Sequence, residues 1–109
     1  MLGGELGFYK KLLKCYEGVL MAHCTITPSK HSILRFHQRR LGRYIGEDQL
    51  ESMIAYAYNR GDYSFEGLGI QGPRFRIKIP LLHQKKAVTI VEKIRECHLK
   101  LITVWIESS

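Results

Sequence analysis

Acidic residues are scarce in this chain of 109 residues, which holds 10 Asp and Glu against 17 Lys and Arg and has a formal net charge of +7. An excess of this size favours a polyanionic partner, such as nucleic acid, an acidic protein or an anionic membrane surface. Long apolar runs are also missing, because none approaches the roughly 20 residues that a membrane-spanning helix needs. The sequence therefore predicts a protein that does not insert into a membrane.

A signal peptide and a paired-cysteine pattern are lacking as well. The apolar positions of residues 1–24 are interrupted by Lys10, Lys11, Lys14 and Glu17, so these residues form no continuous apolar core of a signal peptide. Cys15, Cys24 and Cys97 are an odd number of cysteines without paired spacing. This pattern predicts reduced thiols and a cytoplasmic protein, or an effector domain delivered into the cytoplasm of a target cell.

The sequence also lacks the spacing of His and Cys residues that is typical of metal ligands. His23 with Cys24, and Cys97 with His98, are pairs of direct neighbours. Neighbouring side chains do not converge on one ion as the ligands of a C-x-x-C or H-x-x-x-H pattern do. The sequence therefore predicts neither a metal site nor another cofactor.

Three helices are predicted in the first 60 residues. Residues 5–22 repeat apolar side chains at steps of three and four, which is typical of an amphipathic helix. A second helix is predicted over residues 29–41, and Gly42 directly after it is the expected stop signal. The third covers residues 47–59, with acidic residues near its positive N-terminal end and Gly61 beyond its exit.

The remainder of the chain has the pattern of strands. Residues 74–79 alternate cations with apolar side chains, and residues 86–93 and 99–107 are rich in branched residues. A short strand at residues 63–66 would make a fourth. We expect an α+β fold in which N-terminal helices pack on a small, mainly antiparallel sheet of three to four strands. One domain should cover residues 1–109, with its core at about 25–106.

The strand alternation predicts two different faces for this sheet. If the strand register keeps the alternating residues of the three strands on matching faces, one face carries Phe75, Ile77, Ile79, Val88, Ile90, Ile102, Val104 and Ile106. The other face then carries Arg74, Arg76, Lys78, Thr89, Thr103 and Trp105. Three alternating cations beside a tryptophan suit a phosphate backbone and an unstacked base, although an ordinary solvated face is the alternative.

The second predicted helix also has two sides. At 100° per residue, one stripe holds His31, Arg35, Gln38, Arg39 and Gly42. The opposite side holds Ile33, Leu34, His37 and Leu41, which should face the core. The basic stripe has two interpretations, a solvated helix face or an active-site surface, and spacing alone favours the first.

These residue types are sufficient for ribonuclease chemistry without a metal. Such an enzyme needs a base for the ribose 2′-hydroxyl, cations for the developing phosphorane charge and a donor for the leaving oxygen. Histidine can act as base or acid, arginine keeps its charge throughout, and threonine can position the phosphate. The parts lie on separate elements, which the fold would have to bring together.

Five segments carry a family resemblance: "TPSKHSILRFHQRR", "GEDQLESMIAYA", "RFRIKI", "KAVTIVE" and "LKLITVWIE". In this order they resemble the small toxin ribonucleases of the barnase, EndoU, colicin and RelE-like (BECR) group. The resemblance implies catalytic roles for His31, Arg35, Arg39, Arg76 and Thr103. It also implies contacts to RNA from Lys30, Arg43, Arg74, Lys78 and Trp105.

The acid and base of this chemistry stay open at this stage. No second histidine is well placed on the sheet, because His83 lies in a predicted loop and His98 precedes the last predicted strand. Tyr44 just beyond the helix is another candidate, and a packed loop aromatic is its alternative interpretation.

The resemblance implies an endoribonuclease toxin that cuts tRNA or mRNA through attack of the 2′-hydroxyl. An acidic antitoxin or immunity protein should protect the producing cell. The two alternatives are an RNA- or DNA-binding module without catalysis, and a basic interaction protein that binds an acidic partner.

Overall fold

The computed structural model describes residues 24–108, so the predicted helix at 5–22 lies outside the described residues. The elements are β1 (Thr25–Pro28), α1 (Lys30–Gln38), a 3-10 turn (Leu41–Arg43), α2 (Glu47–Arg60), β2 (Ser64–Leu68), β3 (Pro73–Pro80), β4 (Lys85–Arg95) and β5 (His98–Ser108). The α+β class is confirmed, with both described helices ahead of four of the five strands. Neither helix is long and apolar enough to cross a membrane.

The strands form one mixed sheet in the order β1-β5-β4-β3-β2. β1 pairs in parallel with β5, and the other neighbours are antiparallel. The prediction of three to four strands was too low, because β1 has four residues and ends in a proline. A short segment of this kind is compatible with an edge strand, although its sequence also resembles a break before a helix.

Helix α1 is shorter than predicted at both ends. Ser29 caps it, with extended backbone and a side-chain oxygen that accepts the N–H of Ser32 at 3.0 Å. The helix ends at Gln38 because Arg40 adopts a left-handed backbone conformation with φ 56°. The following 3-10 turn then buries Leu41 completely.

The face that α1 buries also differs from the prediction. Ser32 and Phe36 are buried, whereas Ile33 and Leu34 are 40% and 52% exposed. His37, predicted to be a core histidine, has a side chain that is 64% exposed and lies 3.5 Å from Glu47. The predicted wheel treated Leu41 as part of the helix, and this rotated the expected apolar side away from Phe36.

Helix α2 agrees closely with the prediction. Acidic residues occupy its first turn, and Gly61 ends it with φ 80°, a conformation that glycine adopts without strain. The core between the helices and the sheet contains Phe36, Leu41, Ile45, Leu50, Ile54, Ala57, Ile77, Ile79, Ala87, Val91, Leu99, Leu101 and Val104.

The two faces of β4 are the reverse of the prediction. Thr89 pairs with Ile77 and Val104, both in the core, and its hydroxyl donates to the Ile77 carbonyl at 2.8 Å. Val88 and Ile90 lie on the face away from the helices, yet they are 0% and 8% exposed. A central strand with apolar residues on both faces has no polar–apolar alternation from which its orientation could be predicted.

The predicted reduced thiols were wrong for two of the three cysteines. Cys24 and Cys97 form a disulfide between the start of β1 and the turn from β4 to β5. The parallel register explains the pairing, because Thr25 lies opposite His98 and its N–H donates to the Cys97 carbonyl at 3.0 Å. His98 is therefore the first residue of β5 rather than a residue before it.

Candidate functional site

The predicted stripe on α1 is a connected set of side chains. The Arg35 Nε atom donates to His31 Nε2 at 3.3 Å, and its Nη1 atom donates to Gln38 Oε1 at 3.2 Å. His31 Nε2 is the acceptor in this contact, so its lone pair is directed at the Arg35 guanidinium. The spacing on the helix thus correctly placed His31 and Arg35 on one stripe.

Other cations extend this region beyond the stripe. Arg39 caps the C-terminus of α1, and its backbone N–H, not its side chain, donates to the Arg35 carbonyl. We call the cationic residues of α1 and of the segment that follows it the basic corner: Lys30, Arg35, Arg39, Arg40 and Arg43. Within residues 24–108, none of these five cations has an acidic partner at ion-pair distance.

The catalytic and RNA-binding residues that were predicted on the sheet lie on its face away from the helices, which we call the open face. Arg76 and Thr103 are both direct cross-strand neighbours of Ile90. Direct neighbours point to the same side of a sheet, and two strand spacings separate these two residues by about 10 Å. The structure therefore places Arg76 and Thr103 in one row.

The next rows hold the predicted contacts to RNA. Lys78 and Trp105 are both neighbours of Val88, so they flank the same buried residue on the open face. A groove at the β2 side of this face is lined by Asp62, Tyr63, Ser64, Arg76 and Lys78.

Each cation of the basic strand has an acidic partner, which the sequence did not indicate. The nitrogen-to-oxygen distances are 2.7 Å for Arg74–Glu92, 2.9 Å for Arg76–Glu66 and 3.2 Å for Lys78–Glu107. These acids come from three other strands, and only the strand order makes them neighbours. The open face is therefore much less positive than the alternation of β3 alone suggests.

Glu92 is the most buried of these acids, at 2% exposure. Burial by itself would raise the pKa of its carboxyl group. Hydrogen bonds from Arg74 and from the Gln71 backbone N–H, together with the charges of Arg74 and Lys100, oppose this effect and lower the pKa below its usual value. Glu92 is therefore a structural anion that holds the loop between β2 and β3 against β4.

One contact brings α1 close to the row of Arg76 and Thr103. The Ser29 backbone N–H donates to the Leu101 carbonyl at 3.0 Å, and the Ser29 hydroxyl donates to the Ile102 carbonyl at 3.1 Å. His31 follows Ser29 by two residues, and Thr103 follows Ile102 directly. Their backbones consequently approach each other at the same edge of the sheet.

The candidate side chains belong to two elements, α1 and β5, that meet at Ser29. On α1, Ile33 lines a small cavity against α2, so His31 and Arg35 lie on the opposite flank of the buried Ser32–Phe36 line. Thr103 belongs to the open face of β5. In the described part of the chain, β1 pairs with β5 only as far as Leu101, so no strand separates the two sets beyond that point.

The other candidate acids and bases lie elsewhere. His83 occupies the turn between β3 and β4, with φ 60°. The His98 Nε2 atom lies 2.9 Å from the Thr27 hydroxyl, and five residues of β5, or about 17 Å, separate His98 from Thr103. Tyr44 follows the 3-10 turn and is half-buried. Residues 24–108 contain no group of three or more His, Cys, Asp or Glu side chains arranged to hold a metal ion.

No protein-family model, no curated protein and no solved structure matches this chain. The geometry of α1 and the open face is therefore the ground for a functional assignment.

Proposed function

We propose that this protein is a metal-independent endoribonuclease toxin that cuts tRNA or mRNA. The proposal includes a BECR-like arrangement, in which helices cover one face of the sheet and leave the other face for RNA. The observation that carries it is the position of the His31–Arg35 pair. This pair begins two residues after Ser29, whose hydrogen bonds attach α1 to β5 beside Thr103.

In this proposal His31 acts as the general base. Its unprotonated Nε2 atom exchanges the Arg35 hydrogen bond for the ribose 2′-hydroxyl and takes the proton as O2′ attacks the neighbouring phosphorus. The bond from phosphorus to O5′ breaks, and O5′ takes a proton from an acid or from water. The products are a 2′,3′-cyclic phosphate and a 5′-hydroxyl end.

The cations and the hydroxyl stabilise the transition state. Arg35, released from His31, can place its guanidinium against the non-bridging oxygens of the phosphorane. Thr103 offers a hydroxyl at the same sheet edge, and Arg76 lies in its row on the open face. Trp105 and Lys78, in the next row of the open face, would contact the flanking base and phosphate.

An acidic antitoxin or immunity protein would bind at the basic corner. Its five cations lack acidic partners among the described residues, whereas the cations of β3 are already paired. The disulfide favours the effector version of this proposal, because disulfides form and persist outside a reducing cytoplasm. The protein would then act in the cytoplasm of a target cell after delivery.

RNA cleavage in the presence of EDTA tests the enzyme proposal, and the chain supplies a matched control. His31→Ala should reduce the cleavage rate by about 10²- to 10⁴-fold, the usual contribution of a general base. His37→Ala changes an exposed histidine on the same helix and should retain wild-type activity. If His31→Ala cleaves as fast as the wild type, His31 is not the base. If the wild type cleaves no cellular RNA, the enzyme proposal fails.

A second candidate function is RNA binding without catalysis, centred on the basic corner. The ion pairs of Arg74, Arg76 and Lys78 favour it, because they reduce the free charge available opposite His31. Binding without cleavage would select this function. The logarithm of the affinity should then fall with the logarithm of the salt concentration at a slope of about −0.7 per phosphate contacted on a single strand.

A further inference from the structure

The groove at the β2 side of the open face continues around the edge of β3. Its first lobe, which Ser64, Arg76 and Lys78 help to line, has a volume of about 300 Å³. Asp62 and Lys78 also line a second lobe of about 270 Å³. The second lobe lies against α2, because its other walls are Met53, Tyr56, Ala57, Arg60, Ile79 and Pro80. Each lobe is close to the smallest size that is usual for a small-ligand site.

The strand pairing leaves a passage between the two lobes. β2 pairs with β3 from Leu68, opposite Pro73, to Ser64, opposite Arg76. β3 continues to Pro80, and no strand of the described part of the chain pairs with residues 77–80 on this side. An extended ligand on the open face can therefore turn around the edge of β3 toward α2. The unpaired backbone groups of this edge can also donate or accept hydrogen bonds.

The first lobe has the chemistry of a phosphate site. Arg76 and Lys78 occupy alternate positions of β3, and Ser64 is the direct neighbour of Arg76. The Arg76 Nη2 atom donates to Glu66, whereas its Nε atom is buried and has no hydrogen-bond partner among the described residues. A phosphate that replaces Glu66 would offer oxygens to both nitrogens of the guanidinium fork. The exchange costs little, because partly exposed ion pairs of this kind are weak.

The second lobe has the chemistry of a base site. Tyr56 is 52% exposed, and the Arg60 guanidinium lies 5.2 Å from the centre of its ring. Met53 and Pro80 add apolar surface beside this pair. Tyrosine rings and arginine planes are the surfaces on which unstacked bases pack. A stacking surface next to a phosphate site favours a nucleotide over an acidic peptide, whose carboxylates would use only the cations.

The charges that line the groove also favour a nucleotide. Three cations, Arg60, Arg76 and Lys78, line the two lobes together with one carboxylate, that of Asp62. Arg60 already pairs with Asp62 at 3.2 Å. The remaining positive charge lies at Arg76 and Lys78, where it attracts the phosphate groups of a nucleic acid.

We propose that this groove binds one nucleotide of a single-stranded nucleic acid. Its phosphate would lie in the first lobe between Arg76 and Lys78, and its base would pack on Tyr56 in the second lobe. The inference rests on the proposed ribonuclease function in so far as this nucleotide flanks the cleavage site. The link is Arg76, which belongs both to the row of Thr103 and to the groove.

Binding of a single-stranded 2′-deoxyoligonucleotide tests the groove separately from cleavage, because this probe has no 2′-hydroxyl to attack the phosphate. Tyr56→Ala should weaken the affinity, measured by fluorescence anisotropy, by about 5- to 150-fold, the usual contribution of one stacked base. Tyr56→Phe keeps the ring and should recover most of this loss. Circular dichroism of each variant checks that it is folded.

Two cations provide a matched pair for the phosphate. Lys78→Ala should reduce the slope of log affinity against log salt by about 0.7, which corresponds to one phosphate contact on a single strand. Arg95→Ala is the control, because Arg95 is exposed at the other end of β4, about 30 Å along the strand from the neighbour of Pro80. Its slope and affinity should equal those of the wild type.

A titration that needs no variant follows the edge of β3 itself. The backbone amide signals of residues 77–79 should shift in NMR spectra of the full chain as the oligonucleotide is added. Absence of these shifts, or equal affinity of Tyr56→Ala and the wild type, would overturn the groove proposal even if RNA is cleaved. Binding through Tyr56 without any RNA cleavage would support the groove and contradict the ribonuclease.

Discussion

The hydroxyl of Ser29 donates to the carbonyl oxygen of Ile102 at 3.1 Å, across 73 residues of sequence. The Ser29 Oγ atom also accepts the Ser32 N–H and so caps α1. A single serine therefore both starts the helix that carries His31 and attaches this helix to the strand that carries Thr103. The position of the candidate base relative to the sheet depends on these two hydrogen bonds.

Ser29→Ala should weaken both the fold and the site. Loss of the cap and of the bond to Ile102 should lower the free energy of unfolding by about 1–2 kcal/mol. RNA cleavage should fall by more than the folded fraction explains, because the start of α1 keeps only its backbone hydrogen bond to Leu101 of β5 and loses the one to Ile102. Denaturant unfolding and cleavage by the same samples measure the two effects. Unchanged stability would show that Ser29 contributes neither bond.

Two threonines provide a matched test of the open face. Thr103→Val removes a half-buried hydroxyl on the open face and should reduce RNA cleavage with little effect on unfolding. Thr89→Val removes a buried hydroxyl that donates to the Ile77 carbonyl, and it should cost about 1 kcal/mol of stability. Its cleavage rate per folded molecule should stay at the wild-type value. Equal cleavage by Thr103→Val and the wild type would exclude Thr103 from the site.

The Cys24–Cys97 disulfide should make a large contribution to stability. It closes a loop of 73 residues, for which the chain-entropy estimate is about 4 kcal/mol. Cys97→Ser, or a reducing agent, should lower the free energy of unfolding accordingly. Cys15→Ser changes the cysteine outside this disulfide and is the control. An unfolding midpoint that does not respond to reduction would contradict this prediction.

Glu92 should make the fold sensitive to acid. Its pKa is lower in the folded state than in the unfolded chain, where a glutamate titrates near about 4.3. Its contribution to stability is therefore complete above that unfolded value and is lost as the pH falls through the lower folded value. Unfolding measured across this acidic range should show the loss for the wild type and much less of it for Glu92→Gln.

Glu107→Gln is the control for this acid response. The Lys78–Glu107 pair is exposed, so its removal should cost less than about 1 kcal/mol at neutral pH. Glu92→Gln should cost about 1–3 kcal/mol, because it weakens bonds to Arg74 and to the Gln71 backbone in a buried place. Equal losses for the two variants would show that Glu92 has no special role in holding the loop.

Local patterns in the sequence predicted the elements well and their orientation less well. The acidic first turn and Gly61 marked α2 almost to the residue, and the alternation of β3 correctly separated its cations from its apolar side chains. The predicted orientation of β4 was wrong, because a strand with buried residues on both faces has no polar–apolar alternation that shows which face points outward. The predicted core-facing side of α1 was also wrong, because the helix ends before the left-handed Arg40 and not at Gly42.

For the candidate site, spacing on one element was informative and pairing between elements was not. The four-residue step from His31 to Arg35 is sufficient to predict their contact on a helix. No local pattern shows that Arg76 meets Glu66, or that Cys24 meets Cys97. Both contacts depend on which strands become neighbours.

The sequence by itself determined the charge excess, the α+β class, the basic strand and the His31–Arg35 stripe, because each follows from composition or from short-range periodicity. The tertiary structure decided which cations pair with acids, which cysteines join, and that α1 begins beside the strand that carries Thr103. The physical reason is the strand order: β1 lies at one edge of the sheet beside β5 and β2 lies at the other, and contacts between distant residues follow from that order.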